Sequence, residues 1–426
     1  MKKKLTTAIQ IAFIGLFVLM TLTVVFYEDI SLYFLGQDKP QLSSAAPGEP
    51  GDDIAESNSG NDIASEESPG TPLTLNDEKT SAEENNNNRA DGLKEALFYK
   101  TMEALKVQCQ MCFRKCTIAE GKRGFCKSRE NIQGKLYTLT YAKPAAVHID
   151  PVEKIPFTHF HPGTDALSIG TATCNFRCLN CINWQFAWKT PEEVEQLSMS
   201  PEEVIKTAKD NDLKTICFTY NEPTTCYEYM LDVFKLAKKE GLRTVYHTCG
   251  SMNPEPFETL APFVDAVVVD LKGFDDEFYE ENCSAELQPV LDYLKTVKKH
   301  GVWLEVVNLV IPGKNDSPDT VRKMCQWYME NLGPDVPLQF SRFFPTNQLS
   351  NLPPTPVLTL ENACAIATEA GIRYVYIGNV SGHEKNNTYC PECGHLLIER
   401  VGLSIRTFDI EDGKCKHCGN LILGKW

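Results

Sequence analysis

"ALSIGTATCNFRCLNC", residues 166–181, is the stretch on which the fold turns. Its first five residues are a short apolar run of the kind that forms a buried strand. The chain then leaves the strand for a loop that carries Cys174, Cys178 and Cys181 in a CX3CX2C spacing. Thiolates bind soft metals. A closed single-ion site takes four ligands, but this loop supplies three and no histidine follows nearby. A cubane [4Fe–4S] cluster usually takes four thiolates. Three would leave one iron open to bind and polarise a small molecule. A zinc site that borrows its fourth ligand from elsewhere in the chain is the competing reading.

Outward from this loop the same beat repeats. Short apolar runs at 215–219, 243–248, 266–270, 303–310, 338–343 and 373–378 alternate with helical patterns. The helices have boundary signals. "SPEE" at 200–203 is a capping box with proline at the first helical position. "SPDT" at 317–320 and "TLEN" at 359–362 open two more helices. "FKLAKKEG" and "LKTVKKHG" end in lysines and a glycine, as helix C-termini do. Strands alternating with helices imply parallel pairing through crossover helices. The fold class is therefore α/β, and six such units make an open doubly wound sheet or a partial (β/α)6 barrel. Either fold places chemistry at the C-terminal strand ends. "YNEPT", "HTCGS", "DLKG" and "IPGKND" fall there, along with the cysteine loop.

"CNFRCLNC" after the first strand of a βα repeat resembles the signature of the radical S-adenosylmethionine (SAM) enzymes. The resemblance implies the partial (β/α)6 barrel and a [4Fe–4S] cluster on Cys174, Cys178 and Cys181, with the open iron chelating SAM. It also implies one-electron cleavage of SAM to methionine and a 5'-deoxyadenosyl radical. Asn180, before the third cysteine, stands against the adenine in that picture, at a position where the family often has an aromatic. Glu222 would pair with the methionyl ammonium. Asp270 and Lys272 resemble the strand-four pair that contacts SAM in glycyl-radical activating enzymes; a solvated ion pair is their plainer reading. "DPVEKIPFTHFHPG", "FTYNEPT", "DLKGFDDEFYEENC", "SRFFPTNQ", "YVYIGNVSG" and "NTYCPECG" narrow the likeness. Together they resemble the radical SAM enzyme of the AmmeMemoRadiSam system, a relative of the pyruvate formate-lyase activating enzymes. The similarity covers roughly residues 100–426.

Eleven of the 17 cysteines fall in three tight clusters, which read as metal ligands rather than disulfides. Cys390, Cys393, Cys415 and Cys418 form two CX2C knuckles, a zinc-ribbon pattern; a single rubredoxin-like iron fits the same thiolates. Cys109, Cys112, Cys116 and Cys126 lie within 18 residues and suit either a structural zinc or an auxiliary [4Fe–4S] cluster. Cys217 and Cys364 read as small buried hydrophobes, and Cys283 as a hydrogen-atom relay or a plain core residue. His148, His159 and His161 read as structural or surface histidines. The residues after the loop, "INWQFAW", offer apolar groups to shield a radical from water.

The chain has 426 residues and a net charge of -15, which argues against a nucleic-acid-binding surface. Residues 38–91 carry 13 acidic and 3 basic side chains and few large apolar ones, so they read as a disordered acidic tether. Before it, three lysines precede an apolar run, residues 8–26, that only Gln10, Thr21 and Thr23 interrupt with polar groups and that no charge breaks, long enough to span a bilayer. An uncleaved single-pass transmembrane helix is the preferred reading over a signal peptide, because no small-residue cleavage site follows. The lysine flank puts the large domain outside the cell, whereas the chemistry calls for cytosolic reductant and SAM. The chemistry is given the greater weight, so the catalytic domain is expected on the cytoplasmic side.

Five parts result: an anchor at 1–37, the tether at 38–91, a four-cysteine metal module at 92–150, the radical SAM core at 151–380 and a zinc ribbon at 381–426. The expected function is reductive cleavage of SAM, followed by hydrogen abstraction from a protein (a glycyl residue among the options) or a small molecule. Flavodoxin or ferredoxin would supply electrons, and AmmeMemoRadiSam companion proteins are further partners. A non-enzymatic, membrane-tethered metal-binding scaffold is the alternative. It leaves unexplained why one cluster lacks a fourth cysteine.

Overall fold

The structure is a computed structural model that describes Ala90 and residues 92–426. The apolar run 8–26 and, Ala90 apart, the tether 38–91 lie outside the described residues. Among the described residues no helix is long and apolar enough to cross a membrane.

The central sheet has eight strands: β1 (Pro144–Pro151), β2 (Asp165–Thr171), β3 (Thr215–Phe218), β4 (Arg243–Thr248), β5 (Ala266–Asp270), β6 (Trp303–Val310), β7 (Leu338–Arg342) and β8 (Val375–Gly378). Their spatial order follows the chain order, with β1 and β8 at the two edges. β1 pairs antiparallel with β2, and every later neighbour pair is parallel. A doubly wound sheet reverses its order at a switch point. A strictly sequential order is that of a barrel left open. Six crossovers join β2 to β8, and each carries helix: α1 (Pro201–Asp210), α2 (Tyr227–Lys239), α3 (Pro254–Leu260), α4 (Asp276–Cys283) with α5 (Leu287–Lys299), α6 (Pro318–Asn331) and α7 (Val357–Glu369).

The local signals act as their chemistry dictates. The Ser200 side chain accepts from the Glu203 N–H, while the Glu203 carboxylate accepts from the Ser200 N–H. Ser317 caps α6 by accepting from the Thr320 N–H. The last lysines of α2 and α5 sit in their final turns. Two boundaries differ from the sequence reading. α7 begins at Val357, not at Thr359: Pro356, at φ -59° and ψ 139°, is the N-cap that still runs extended, and the helix starts directly after it. The core sheet begins at Pro144 rather than after 150, because β1 pairs with β2 along its whole length.

Period-2 alternation divides the core. Leu167, Ile169, Ile216, Phe218, Val267, Val269, Leu304 and Val306 face the helices. Ala166, Cys217, Val245, Ala266, Val268 and Val307 face inward, where Val152, Ile155, Phe157 and Phe160 plug the sheet from below. Cys217 and Cys364 are buried, as the sequence reading has them. Glu305 fixes the plug: its carboxylate accepts from the Thr158 N–H and hydroxyl, the His159 N–H and the Trp303 indole.

Two small modules flank the sheet. Upstream lie two three-stranded antiparallel sheets, one of which contains the hairpin Arg129–Ile132/Lys135–Thr138. Its turn residues Gln133 and Gly134 both have positive φ, the geometry of a two-residue turn that matches strand twist. Downstream, strands Thr388–Tyr389, Leu396–Val401 and Ser404–Phe408 form the ribbon. The ribbon has its own core of Leu397, Ile398, Ile410 and Ile422 around Cys390 and Cys415, with Tyr374 and Tyr376 from the barrel strand side.

Candidate active site

The C-terminal ends of β2 to β5 converge on one site. Cys174, Cys178 and Cys181 lie on the loop after β2, the first two buried and the third partly so. The loop leaves β2 through Thr173, a non-glycine residue at φ +78°. Such a backbone persists only where neighbours hold it. Here Asn221 does so: its amide donates to the Thr173 carbonyl (2.6 Å) and to the Thr171 hydroxyl (3.3 Å). The Arg177 guanidinium binds the Cys174 and Phe176 carbonyls at 2.6 and 2.7 Å.

The end of α4 clamps the other side of the loop. The Arg177 and Leu179 N–H groups donate to the carbonyls of Cys283 and Asn282. The Asn180 side-chain oxygen accepts from the Asn282 amide at 3.0 Å, and both residues are buried. Asn180 thus joins loop to helix. Fully buried Cys283 places its thiol against that of Cys178. That contact, then burial, pushes the Cys178 thiol well above its ordinary value. Burial first, then the neighbouring Cys178, raises Cys181 to about 11. Burial also raises Cys174, with Glu222 adding to it.

Glu222, after β3, is fully buried. Its two oxygens accept from the Thr224 N–H and hydroxyl, the Thr248 hydroxyl and the Cys249 N–H. The sequence reading has Glu222 pairing with a ligand ammonium. In the folded chain a ligand ammonium would have to displace one of these donors, since a carboxylate offers about four lone-pair sites. The carboxylate instead ties the turn after β4 to the turn after β3.

Asp270 at the end of β5 is flanked on both sides. His247 Nε2 lies 2.9 Å from Oδ1 and Lys272 Nζ lies 2.9 Å from Oδ2. Burial works to raise the Asp270 pKa, but the charges of His247 and Lys272 outweigh it and hold the carboxyl below the usual range. Lys272 is driven the other way: burial opposes its charge, but Asp270 and the nearby cysteine sulfurs, among them Cys249, Cys178 and Cys283, favour it. Its backbone is held by the Tyr279 hydroxyl, which accepts from the Lys272 N–H, and by Asn315, which donates to the Lys272 carbonyl. Asp270 and Lys272 are therefore a partly buried triad with His247 rather than a solvated pair.

The sequence reading missed Asn221, His247, Asn282 and Asn315 as builders of this site. Asn221 lay inside a motif already singled out, and His247 inside "HTCGS". Their roles depend on which strand ends become neighbours. The shielding expected of "INWQFAW" is only partly met: Ala187 is buried, but Ile182 and Trp184 are 68% and 38% exposed.

The other cysteines form separate groups. Cys390 and Cys418 sulfurs lie 3.6 Å apart, and those of Cys393 and Cys415 3.8 Å. A tetrahedral ion with ~2.3 Å sulfur bonds has thiolates about 3.8 Å apart, so this quartet has single-ion geometry. Gly394 and Gly419, after each knuckle's second cysteine, have φ of +71° and +76°, which the tight turns require. Cys109, Cys112, Cys116 and Cys126 all line one small cavity in the upstream module. His159 is buried under the sheet, with Nδ1 at 2.7 Å from the Leu423 carbonyl and Nε2 at 2.6 Å from the Tyr376 hydroxyl. It fastens the C-terminal tail and takes no part in the cysteine loop.

The pattern of the Radical SAM superfamily matches residues 168–327, the span from β2 through most of α6. An uncharacterised protein of Methanocaldococcus jannaschii is 45% identical over 332 residues, 78% of this chain and 99% of that protein. The pyruvate formate-lyase-activating enzyme of Clostridium pasteurianum is 27% identical over 155 residues, 36% of this chain and 64% of that enzyme. Among solved structures, a domain of the pyruvate-formate lyase-activating enzyme of Bacteroides vulgatus superposes with a TM-score of 0.34 at 16% identity, covering 38% of this chain and 98% of that one. With three cysteines at the end of the first parallel strand, the superfamily pattern running from β2 into α6 and activating enzymes among its relatives, the chain is an enzyme that belongs to the radical SAM superfamily.

Proposed function

We propose that Cys174, Cys178 and Cys181 hold a [4Fe–4S] cluster whose fourth iron binds SAM, and that the enzyme abstracts hydrogen from a protein or small-molecule substrate. The observation that carries this reading is the loop itself. It brings three thiols to one strand end, braced by Asn221, Arg177 and Asn282, with Lys272 beside them. When bound, the reduced cluster supplies the electron that cleaves SAM to methionine and the 5'-deoxyadenosyl radical.

The chain's own residues do the positioning. Glu222 holds the turn at Thr248–Cys249 in place beside the site. Asp270, kept ionised by His247 and Lys272, offers a carboxylate to the polar groups of SAM, and Lys272 offers a cation to its carboxylate. Asn180 lies on the loop wall where adenine would pack. Zinc in the Cys390/Cys393/Cys415/Cys418 quartet serves the ribbon, whose thiol spacing suits one ion.

Likeness to pyruvate formate-lyase-activating enzymes supports a protein glycyl residue as the hydrogen donor and a reductant such as flavodoxin or ferredoxin; only the sequence stretches that resemble the AmmeMemoRadiSam radical SAM enzyme speak for its companion proteins as partners. The apolar run 8–26 supports single-pass membrane attachment, with the catalytic domain on the cytoplasmic side where reductant and SAM are found. Alkaline phosphatase activity from a C-terminal reporter fusion would overturn that side.

The central test is anaerobic reconstitution with iron and sulfide, followed by SAM and dithionite. 5'-Deoxyadenosine is expected; none under these conditions sinks the proposal. A glycyl radical signal by electron paramagnetic resonance, with candidate partner proteins, separates a protein substrate from a small molecule.

A further inference from the structure

Charge is shared unevenly along the chain. Residues 92–143, upstream of β1, carry 11 basic and 4 acidic side chains, a net +7, while residues 144–426 carry a net -13. We propose that one end of the upstream module, where it meets the CX3CX2C loop, is the docking face for a small acidic electron-carrier protein. The inference rests on the reading above that SAM cleavage takes its electron from a protein reductant, and it adds the face on which that reductant sits.

Two turns bring cations to that end. Strands Val107–Cys109 and Thr117–Ile118 pair antiparallel, so the turn between them lies at one end of the ladder. The Lys115 N–H closes it on the Cys112 carbonyl at 3.1 Å, and the Lys127 N–H closes a second turn on the Gly124 carbonyl at 3.0 Å. Both turns rest on the catalytic loop. The Arg114 Nε donates to the Asn175 carbonyl at 2.7 Å, and the Arg177 Nη2 donates to the Phe125 carbonyl at 3.4 Å. Phe125 is 37% exposed, with the Arg114 guanidinium 3.6 Å and the Arg177 guanidinium 5.0 Å from its ring centre. Lys115 and Lys127 are exposed and have no ion pair among the described residues.

The module's acids are placed elsewhere or neutralised. Glu103 and Glu120 lie in the turns at the opposite end of the ladder, which the Asn131 amide gathers by donating to the Leu105 and Ile118 carbonyls. Glu95 pairs with Lys135, and Arg123 takes up both Glu130 and Glu192. Across Arg114, whose Nη2 donates to the Ser284 carbonyl, Glu281 and Glu286 flank Ser284 in the chain and limit the patch on that side. Four cations, Arg114, Lys115, Lys127 and Arg177, thus surround an exposed aromatic ring. A rim of one sign steers a protein of the opposite sign and fixes how it docks. The place in the fold selects an electron carrier from among acidic partners. Arg177 belongs to the loop of Cys174, Cys178 and Cys181 and binds the Cys174 carbonyl at 2.6 Å. A carrier seated here lies against the loop that receives the electron, whereas an anionic membrane surface matches the charge but delivers none.

The test compares the full reconstituted chain with the patch variant Lys115→Glu/Lys127→Glu. A control variant, Lys299→Glu/Lys323→Glu, makes the same charge change on α5 and α6, away from the patch. Binding of an acidic ferredoxin and of an acidic flavodoxin is measured by calorimetry at about 0.01 and about 0.15 M salt, where the screening length is about 30 and about 8 Å. At least one carrier is expected to bind wild type and control alike, and less tightly at the higher salt. Its dissociation constant for the patch variant is expected to rise about tenfold at low salt. With dithionite, 5'-deoxyadenosine should form at one rate in all three proteins. With the reduced carrier, KM for the carrier should rise in the patch variant while kcat holds. Binding of neither carrier, or equal binding by patch and control variants, would overturn the proposal, even where the patch variant loosens from anionic vesicles. Wild type that cleaves no SAM with dithionite would sink the SAM reading instead, and the binding measurement still decides the face.

Discussion

Cys283 is the residue on which the open-iron reading is most exposed, because its thiol meets that of Cys178 inside the site. If it were a fourth ligand, no iron would remain for SAM. Cys283→Ser is expected to keep the iron content of the catalytic cluster and to keep SAM cleavage. Single Ala variants of Cys174, Cys178 or Cys181 are expected to abolish cleavage. Iron assay beside 5'-deoxyadenosine formation makes the comparison, and loss of iron from Cys283→Ser would remove the open position. At the neighbouring strand end, Asp270→Asn deletes the charge shared by His247 and Lys272. A hydrogen bond to a charged group contributes about 1.5–3 kcal/mol. Calorimetry is expected to show SAM affinity down about tenfold or more, and an unchanged affinity would show that the pair does not face the ligand.

Among the elements, the hairpin Arg129–Ile132/Lys135–Thr138 and helix α2 are joined by the buried Arg129–Glu228 pair, with Glu228 also accepting from the Leu97 N–H. Removing one partner leaves an uncompensated buried charge, at a cost of about 3–5 kcal/mol. Arg129→Met is expected to lower stability by that order in chemical unfolding; a change under about 1 kcal/mol would mean the pair is dispensable. Below the sheet, His159 joins β8 to the C-terminal tail. Burial first, with the Arg400 charge acting in the same direction against the Leu423 carbonyl, lowers its pKa from the usual 6.5 to about 3. The unfolded chain therefore binds a proton below pH 6.5 that the folded chain refuses. Stability from this residue is full above pH 6.5 and falls by about 1.4 kcal/mol per pH unit toward pH 3. Unfolding titrations of wild type and His159→Gln between pH 7 and 4.5 should differ in slope by this amount. Parallel slopes would assign the acid sensitivity elsewhere.

For the whole molecule, three cysteine groups and one sheet share one folded unit, yet their chemistry separates. Cys393→Ser with Cys418→Ser is expected to lose one zinc and leave all iron in place, read by elemental analysis. Iron loss in that variant would show that ribbon and barrel fold as one metal-dependent unit.

The sequence itself carried the alternation of strands and helices, the capping box at Ser200, the helix start at Ser317 and the three cysteine clusters. These are local: period, cap and spacing are set within a few residues. It also placed Asp270 and Lys272 at a strand end, two residues apart. Glu222 was legible as a buried-site carboxylate but not as the brace of Thr248 and Cys249, which are 26 and 27 residues away. Asn221, His247 and Asn282 became visible only once adjacent strands and α4 brought their side chains to the loop. Thiol spacing likewise belongs to the tertiary structure. CX2C motifs look alike in sequence, and only the folded backbone brings the four sulfurs of the ribbon close enough for one ion.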